Sequence, residues 1–462
     1  MQKKQKSKWF LAVIIALLTI SLTACQQGKE KQTTGFTIPV EYYKLPNGLK
    51  VVLSQDKTAP TVVVAMYYNI GFRIEPKGLT GFAHLFEHLM FQGTKNMPKG
   101  EFDKIIERNG GVNNGSTRFD FTNYYEIIPS HMLEPILWVE ADRMTGLDIN
   151  QTSLDNQRGV VINEVKVNVI NEPYGGFPWL DMPQYANENW YNSHNFYGDL
   201  DDLESAKLED VHNFFKTYYA PNNAALSIVG NFEIADAKKW VEQYFGSIPK
   251  ADVPPVPDIK EPEQTEEKRF TKEDKLINKP ALAVAYKMPD RNTPEYYAMG
   301  LIDQLLIQGQ DSKLYNLIVQ QKGYSDDVSG GINYLLGNMF NYNGPMIWMA
   351  DLIYDSSVSA DSIISEFDKA IASLDKVSQE ELNLAIVKIR SFLYDEIGGS
   401  FGVGRADLLA SFALFDDDPG RINDIESEFR KITPEMIRQT AKEYLRSTNR
   451  TILILEPIAE NK

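Results

Sequence analysis

Two histidines and a glutamate in one short stretch could perform the clearest chemistry in this sequence. The stretch reads His84-Leu85-Phe86-Glu87-His88. On an α-helix, His84 and His88 lie one turn apart on the same face, so both imidazoles can bind one Zn²⁺. Glu87 leans over that face, where a general base can take a proton from water activated by the metal. The chain has 5 histidines among 462 residues. Chance is therefore a poor explanation of this pattern, which predicts a zinc site.

The flanking residues predict that the motif lies on a helix. Thr80 is typical of the residue that caps the start of a helix, and Gly93 is typical of the residue that follows its end. A structural core histidine could explain one of the two imidazoles, but not both with the glutamate between them. The apolar side chains that would bury one face of this helix are Phe82, Leu85, Phe86, Leu89 and Met90.

Residues 79–91 resemble the inverted-zincin peptidases, the family of pitrilysin, insulin-degrading enzyme and the mitochondrial processing peptidase. The resemblance is strong over residues 45–230 and weaker beyond. It implies a third zinc ligand, a glutamate about 75 residues after the second histidine, and Glu164 lies 76 residues after His88. It also implies a glutamate seven residues before the third ligand, where this chain has Gln157. A glutamine can orient a ligand by hydrogen bonding but holds no charge.

A second block of the sequence, residues 113–117 together with residues 121–124, also resembles the family. In the family this segment is an edge strand, to which a peptide substrate adds as a further strand through main-chain hydrogen bonds. The alternative from the residues alone is a glycine-containing turn. The candidate substrate-binding residues are Asn114, Gly115, Ser116 and Thr117.

The second half of the chain departs from the family pattern. Catalytic chains of the family often carry an arginine and a tyrosine there, which bind the substrate carbonyl and stabilise the tetrahedral oxyanion. In the matching segment, residues 318–326, Val319 stands at the arginine position and Asp326 at the tyrosine position. We therefore expect a heterodimer in which a sister chain supplies that pair. The alternative is a homodimer that uses Tyr324.

The first residues predict export and lipid anchoring. Residues 1–24 combine four lysines with a short apolar run that ends in Leu-Thr-Ala before Cys25, which resembles a bacterial lipoprotein signal. Cleavage of such a signal leaves Cys25 to be lipidated and residues 25–36 as a polar tether. Gln26 then favours the outer membrane of a cell that has one, with the chain facing the periplasm. The alternatives are an ordinary signal peptide and an uncleaved anchor, each with an incidental cysteine.

The charge balance argues against nucleic-acid binding. The net charge of the chain is −16, and loss of the four lysines in residues 1–24 makes it −20. An acidic chain repels phosphates, so we expect peptides rather than nucleic acids as substrates. An acidic surface could attract cationic peptides, but it is also typical of an ordinary solvated surface.

The chain divides into two similar halves. A Pro-rich, charged linker at residues 251–278 separates a catalytic half, residues 37–250, from a second half, residues 279–462. Both halves end in a helix followed by an apolar strand. Residues 218–229 match residues 444–455 at an offset of 226, which indicates an internal duplication. The pattern of strands and helices along the chain predicts a mixed α and β fold, which the resemblance makes α+β. The resemblance implies that each half is an antiparallel sheet backed by helices, and that the chain forms half of a clam-shell chamber.

Two features have competing interpretations. Residues 155–171 are rich in valine and isoleucine, which favours a strand, whereas the resemblance makes them the helix that delivers Glu164. We expect the helix. The other histidines, His131, His194 and His212, have no partner at ligand spacing, and we interpret them as surface or structural residues.

Together these observations favour a lipid-anchored zinc metalloendopeptidase. Two alternatives belong to other classes: a non-catalytic scaffold subunit, and a peptide-binding or metal-scavenging lipoprotein. A scaffold subunit of this family usually has a broken metal motif, and this motif is complete. The peptide-binding alternative would hold zinc without turning over any peptide.

Overall fold

The computed structural model describes residues 37–399 and 402–458. From Pro39 onward these residues form one compact unit. The predicted signal peptide, Cys25 and the tether at residues 25–36 lie outside the described residues. Among the described helices, none combines the length and the apolar character needed to cross a membrane.

The first half builds a six-stranded sheet in the order β1-β2-β6-β3-β5-β4. Neighbouring strands are antiparallel except β2 and β6, which run parallel. Strand β3 is rich in valine, and its interior is buried on both faces because helices cover the sheet on both sides. Strand β4 lies at the edge and pairs with β5. The strands are β1 (Glu41–Lys44), β2 (Lys50–Gln55), β3 (Thr61–Tyr68), β4 (Val112–Thr117), β5 (Thr122–Pro129) and β6 (Ala224–Gly230).

The second half repeats this topology in a five-stranded sheet, ordered β7-β11-β8-β10-β9. Again one pair, β7 with β11, is parallel and the others are antiparallel. Each strand thus has a counterpart in the first sheet, and β9 is the counterpart of edge strand β4. The α+β fold with two related sheets is therefore confirmed. The strands are β7 (Lys268–Asp274), β8 (Ala281–Lys287), β9 (Ser329–Ile332), β10 (Ile347–Ile353) and β11 (Arg450–Pro457).

The charged end of the predicted linker is part of the second sheet rather than a connection. Strand β7 lies within residues 251–278, and its residues alternate between exposed and half-buried. An edge strand carries charged side chains because they discourage pairing with other chains. Its charged composition therefore resembles that of a linker, although its main chain is paired with β11.

Helices of the first half flank its sheet and carry the candidate ligands. They are α1 (Phe82–Leu89), α2 (Glu101–Arg108), α3 (Leu133–Thr145), α4 (Gln151–Val165), α5 (Asp181–Ala186), α6 (Trp190–Ser193), α7 (Leu200–Ser205), α8 (Leu208–Tyr218) and α9 (Ile234–Phe245). Those of the second half are α10 (Pro294–Leu306), α11 (Ala360–Ser373), α12 (Gln379–Gly398), α13 (Val403–Asp416), α14 (Ile425–Arg430) and α15 (Pro434–Tyr444).

Helix α4 resolves the conflict over residues 155–171 in favour of a helix. Its first turn is closed by a reciprocal hydrogen-bonded cap between Asn150 and Ser153. Its buried residues recur at a helical spacing, which outweighs the strand propensity of its valines. The helix continues as a π-helical segment, Lys166–Ile170. The buried positions of α4 are Leu154, Gln157, Val161 and Val165.

Each sheet is covered on one face by a helix from the other half. Helix α13 packs on β2, β3 and β6, while α5 packs on β7, β8 and β11. Lys50 Nζ of β2 donates to the carbonyl oxygens of Ala413 (2.8 Å) and Leu414 (2.9 Å), near the C-terminal end of α13. The other face of the first sheet packs against α1 and α3 around a large apolar core. The halves are therefore interlocked rather than joined only by a linker.

Candidate metal centre

A buried carboxylate fixes the start of helix α1. The Glu75 side chain accepts hydrogen bonds from the backbone N–H groups of Gly81 (2.9 Å) and Ala83 (2.6 Å). These are N–H groups that the first turn of a helix leaves without internal partners. Burial raises the pKa of Glu75 to about 8, against the lowering effect of the two hydrogen bonds. The sequence analysis missed Glu75, because a glutamate six residues before Gly81 matches no local capping pattern.

Three side chains from two helices bring their donor atoms together. His84 Nε2 lies 3.4 Å from His88 Nε2. Glu164 Oε1 lies 3.7 Å from His84 Nε2, and its Oε2 lies 3.4 Å from His88 Nε2. Ligand atoms about 2.0–2.2 Å from one tetrahedral ion are separated by about 3.3–3.6 Å. The observed distances therefore fit a Zn²⁺ held by His84, His88 and Glu164, the three ligands that the sequence predicts. Among the described residues, these three side chains are also the group whose ligand atoms lie close enough together to hold a metal ion.

The electrostatics of the cluster also suit a cation. Burial lowers the pKa of His84 to about 4, so this imidazole is neutral at neutral pH, which is the form that binds metals. The hydrogen bond from His88 lowers the pKa of Glu164, which favours its carboxylate form. Two imidazoles and one carboxylate are a ligand set that catalytic zinc sites use.

Glu87 lies beside this cluster, beneath edge strand β4. Thr117 Oγ1 donates to Glu87 Oε2 at 2.7 Å. A Cβ atom added at Gly115 would lie 3.2 Å from Glu87 Cγ, so the backbone of β4 approaches this side chain closely. Burial raises the pKa of Glu87, which brings a carboxylate closer to the basicity that a general base needs.

Tyr197 supports the third candidate ligand. Its hydroxyl group donates to Glu164 Oε1 at 3.5 Å, and its ring packs edge-on against the His84 ring, with centroids 5.2 Å apart. Gln157 is buried two turns before Glu164 on α4, and its orienting role stays a prediction. The sequence analysis missed Tyr197, because nothing in the local pattern connects it with a residue 33 positions earlier.

The remaining predicted residues take distinct places. Asn114, Gly115, Ser116 and Thr117 lie on β4, beside Glu87 and at the edge of the sheet. His131 and His212 are exposed, and His194 is buried, with its ring stacked on that of Trp190.

Segment 318–326 lies in the second half. Its Tyr324 carbonyl accepts a hydrogen bond from the N–H of Asp355, and Ser325 Oγ donates to the carbonyl of Ile353. Both contacts stay within the second half, at the end of β10. Peptide binding by β4 and the missing arginine–tyrosine pair stay predictions.

Two related α+β halves, with the histidine–glutamate cluster in the first, make up the fold of the described residues. The family model "Insulinase (Peptidase family M16)" matches residues 50–176, which include all three candidate ligands and Glu87. A second model, "Peptidase M16 inactive domain", matches residues 205–388. The homologues of this chain are therefore M16 peptidases, the pitrilysin- and insulinase-like family.

Relatives of similar length support this relationship. The zinc protease PqqE of Helicobacter pylori is 27% identical over 428 residues, which cover 90% of this chain and 93% of that protein. The crystal structure of a protease from Helicobacter pylori superposes with a TM-score of 0.82 at 26% identity, covering 91% of this chain and 100% of the other. A peptidase M16 inactive domain from Pseudomonas fluorescens has the same fold, with a TM-score of 0.79 at 17% identity over 92% of this chain and 99% of its own.

Proposed function

We propose that this chain is a zinc metalloendopeptidase that hydrolyses peptides or unfolded segments of proteins. The observation that carries the proposal is the convergence of His84, His88 and Glu164 within ligand distance, beside Glu87 and beneath an edge strand. The names of the relatives support zinc and peptide hydrolysis. The insulinase model covers the whole cluster, whereas the model named for an inactive domain covers none of it.

Each residue of the site has a separate role in the proposed hydrolysis. Zinc held by the three ligands would polarise the substrate carbonyl and lower the pKa of water toward about 7. Glu87 takes the proton of the attacking water and returns it to the leaving amine. Thr117 Oγ1 holds one oxygen of Glu87, which leaves the other oxygen for this transfer. Strand β4 aligns the peptide main chain beside Glu87 by adding it to the sheet.

The partner and the cellular location are parts of the same proposal. Val319 and Asp326 stand where the family has its oxyanion-binding pair, so a sister chain that carries the arginine and tyrosine would complete the chamber. The signal in residues 1–24 and Cys25 would anchor the chain to the envelope, facing the periplasm. A Cys25→Ser change should release the protein from membranes or leave the precursor uncleaved, as fractionation would show. Wild-type chain found wholly in the soluble fraction with an unmodified cysteine would refute the anchor.

Measurement of zinc content tests the centre directly. The wild-type chain should bind one zinc, and the His88→Ala variant should lose it together with peptide cleavage, because three protein ligands are the minimum for a catalytic site. His212→Ala is the matched control, since this histidine is exposed on α8. If the His88→Ala variant binds one zinc with wild-type affinity, the centre lies elsewhere.

A further inference from the structure

A line of side-chain hydrogen bonds connects edge strand β4 with helix α13 of the second half. Ser116 Oγ donates to Asn123 Oδ1, and Asn123 Nδ2 donates to the Tyr67 hydroxyl at 2.8 Å. That hydroxyl donates to Asp407 Oδ1 at 2.6 Å. Asn123 and Tyr67 are 5% and 1% exposed, so solvent cannot readily replace these bonds.

The other carboxylate oxygen of Asp407 accepts a hydrogen bond from a side chain of the second half. Asn341 Nδ2 donates to Asp407 Oδ2 at 3.1 Å. The amide oxygen of Asn341 is occupied by the backbone N–H of Asn338 (2.9 Å) and by Asn333 Nδ2 (3.1 Å). The orientation of the Asn341 amide is therefore fixed, and it can only donate toward Asp407. A carboxylate suits this position because both of its oxygens accept.

We propose that Asp407 is a positioning residue, which acts from the second half through Tyr67 and Asn123 to hold the peptide-binding strand β4. The proposal rests on the proposed function, in which a peptide adds to β4. It concerns the face of β4 opposite the metal centre, since Gly115 and Thr117 contact Glu87 while Ser116 bonds to Asn123.

An edge strand needs such a restraint. The main chain of β4 pairs with β5 on one side, and its other edge is the one offered to a peptide. A sheet edge with one neighbour is held by fewer hydrogen bonds than a central strand, and such regions open locally at low free-energy cost. A shift of β4 would move the docking edge and the Thr117 hydroxyl together, because both belong to one short strand. The line of hydrogen bonds therefore fixes the register in which a peptide meets Glu87.

The Tyr67→Phe change removes the linking hydroxyl and keeps the ring, which packs 5.0 Å from the Phe121 ring. Ser54→Ala is the matched control. It removes the hydrogen bonds from Arg405 Nε (3.1 Å) and Nη2 to Ser54 Oγ, which join the same helix to the same sheet, and the bond from Ser54 Oγ to the Pro39 carbonyl. These bonds lie on β2, which is four strands away from β4 in the sheet. Asp407→Asn tests the line from its other end, since it turns one of two acceptors into a donor.

Hydrogen exchange of the amides in residues 112–117 is the first measurement, and it does not depend on catalysis. We expect Tyr67→Phe and Asp407→Asn to speed this exchange by at least about tenfold, the effect of losing one buried hydrogen bond. Ser54→Ala should leave it unchanged. Unchanged exchange in the first two variants, or equal acceleration in all three, would overturn the proposal.

Kinetics with an extended peptide is the second measurement. Tyr67→Phe should raise KM about tenfold, equivalent to about 1.4 kcal/mol, while zinc affinity stays at the wild-type value because the line does not touch the ligands. A fall in zinc affinity as large as the rise in KM would indicate general damage and overturn the positioning role. If the wild type cleaves no peptide, the proposed function fails, and the exchange data still decide whether Asp407 holds β4.

Discussion

The two halves of the molecule build the same arrangement, and among the described residues only the first half adds a His/Glu cluster that could hold a metal ion. In the first, a Cβ atom on Gly115 of β4 would lie 3.2 Å from Glu87 Cγ. In the second, a Cβ atom on Gly331 of β9 would lie 3.6 Å from Asp303 Oδ1. Both halves thus place a carboxyl group of a helix beneath a glycine of an edge strand, half-buried at Glu87 and buried at Asp303.

The neighbours of the two acids differ in the way that matters for chemistry. Gly300 stands three residues before Asp303 and Gln304 one residue after it, where His84 and His88 flank Glu87. Neither a glycine nor a glutamine offers an imidazole. The second half instead has a cavity of about 310 Å³, lined in part by Asp303 and Gln304. The repeated fold therefore offers the same position in both halves, and the two histidines distinguish the position that we propose holds zinc.

The sharpest test of this comparison removes one acid in each half. Glu87→Gln should lower peptide turnover by about 10²–10⁴-fold, because glutamine cannot accept the proton. Asp303→Asn should leave turnover within about twofold, which is less than 0.5 kcal/mol of barrier. Steady-state rates and zinc content of both variants are the measurement. A large loss in the Asp303→Asn variant, or turnover near the wild-type rate in Glu87→Gln, would break the assignment of chemistry to the first half.

The acid of the second half should instead affect stability. Burial raises the pKa of Asp303 from an ordinary 3.8 to about 7. Between these pH values the folded chain keeps a proton that the unfolded chain releases, so stability falls as pH rises. The loss begins near pH 4 and is complete above about pH 7, and at about 1.4 kcal/mol per pKa unit it amounts to a few kcal/mol.

Denaturant unfolding at several pH values, with wild type and Asp303→Asn compared, measures this effect. The difference between the two proteins isolates Asp303 from other buried acids. Because the Asn side chain does not ionise, the stability of the variant should rise relative to that of the wild type as pH rises from 4 to 7. If the difference in stability between the two proteins does not change with pH, folding does not raise the pKa of Asp303.

The third prediction concerns the arginine–tyrosine pair that we expect a sister chain to supply. Purified alone, the chain should cleave peptides slowly, because one missing oxyanion donor costs about 10²–10³-fold. Adding a sister chain with the arginine–tyrosine pair and a degraded metal motif should raise the rate of peptide cleavage by that factor. Peptide assays with and without the sister chain are the measurement. A lone chain whose rate the sister does not raise would favour the homodimer that uses Tyr324.

The smallest expected effect is at Tyr197. Its bond to Glu164 is long, at 3.5 Å, so Tyr197→Phe should weaken zinc binding about tenfold, the low end for loss of an outer partner. Tyr334→Phe, in the lining of the second-half cavity, is the matched control and should not change zinc affinity. Competition with a zinc chelator measures both. If both changes weaken zinc binding equally, Tyr197 does not support the metal centre.

The difference between local and distant information explains which parts of the site the sequence could predict. His84, Glu87 and His88 belong to one helix, so their spacing alone brings them to one face. Glu164 came only from the family resemblance, since strand propensity favoured the wrong structure for α4. The linker was assigned too far along the chain, because charge and proline content do not distinguish an edge strand from a connection.

The sequence by itself determined the histidine–glutamate motif and the matching ends of the two halves, because both follow from spacing along the chain, while the α+β class came from the family resemblance. The tertiary structure alone decided how the centre is held. Glu75 caps α1 from outside the helix, and Asp407 reaches Tyr67 across 340 residues. Such contacts form when the packed core brings distant segments together, and no local pattern specifies which buried polar groups will meet there.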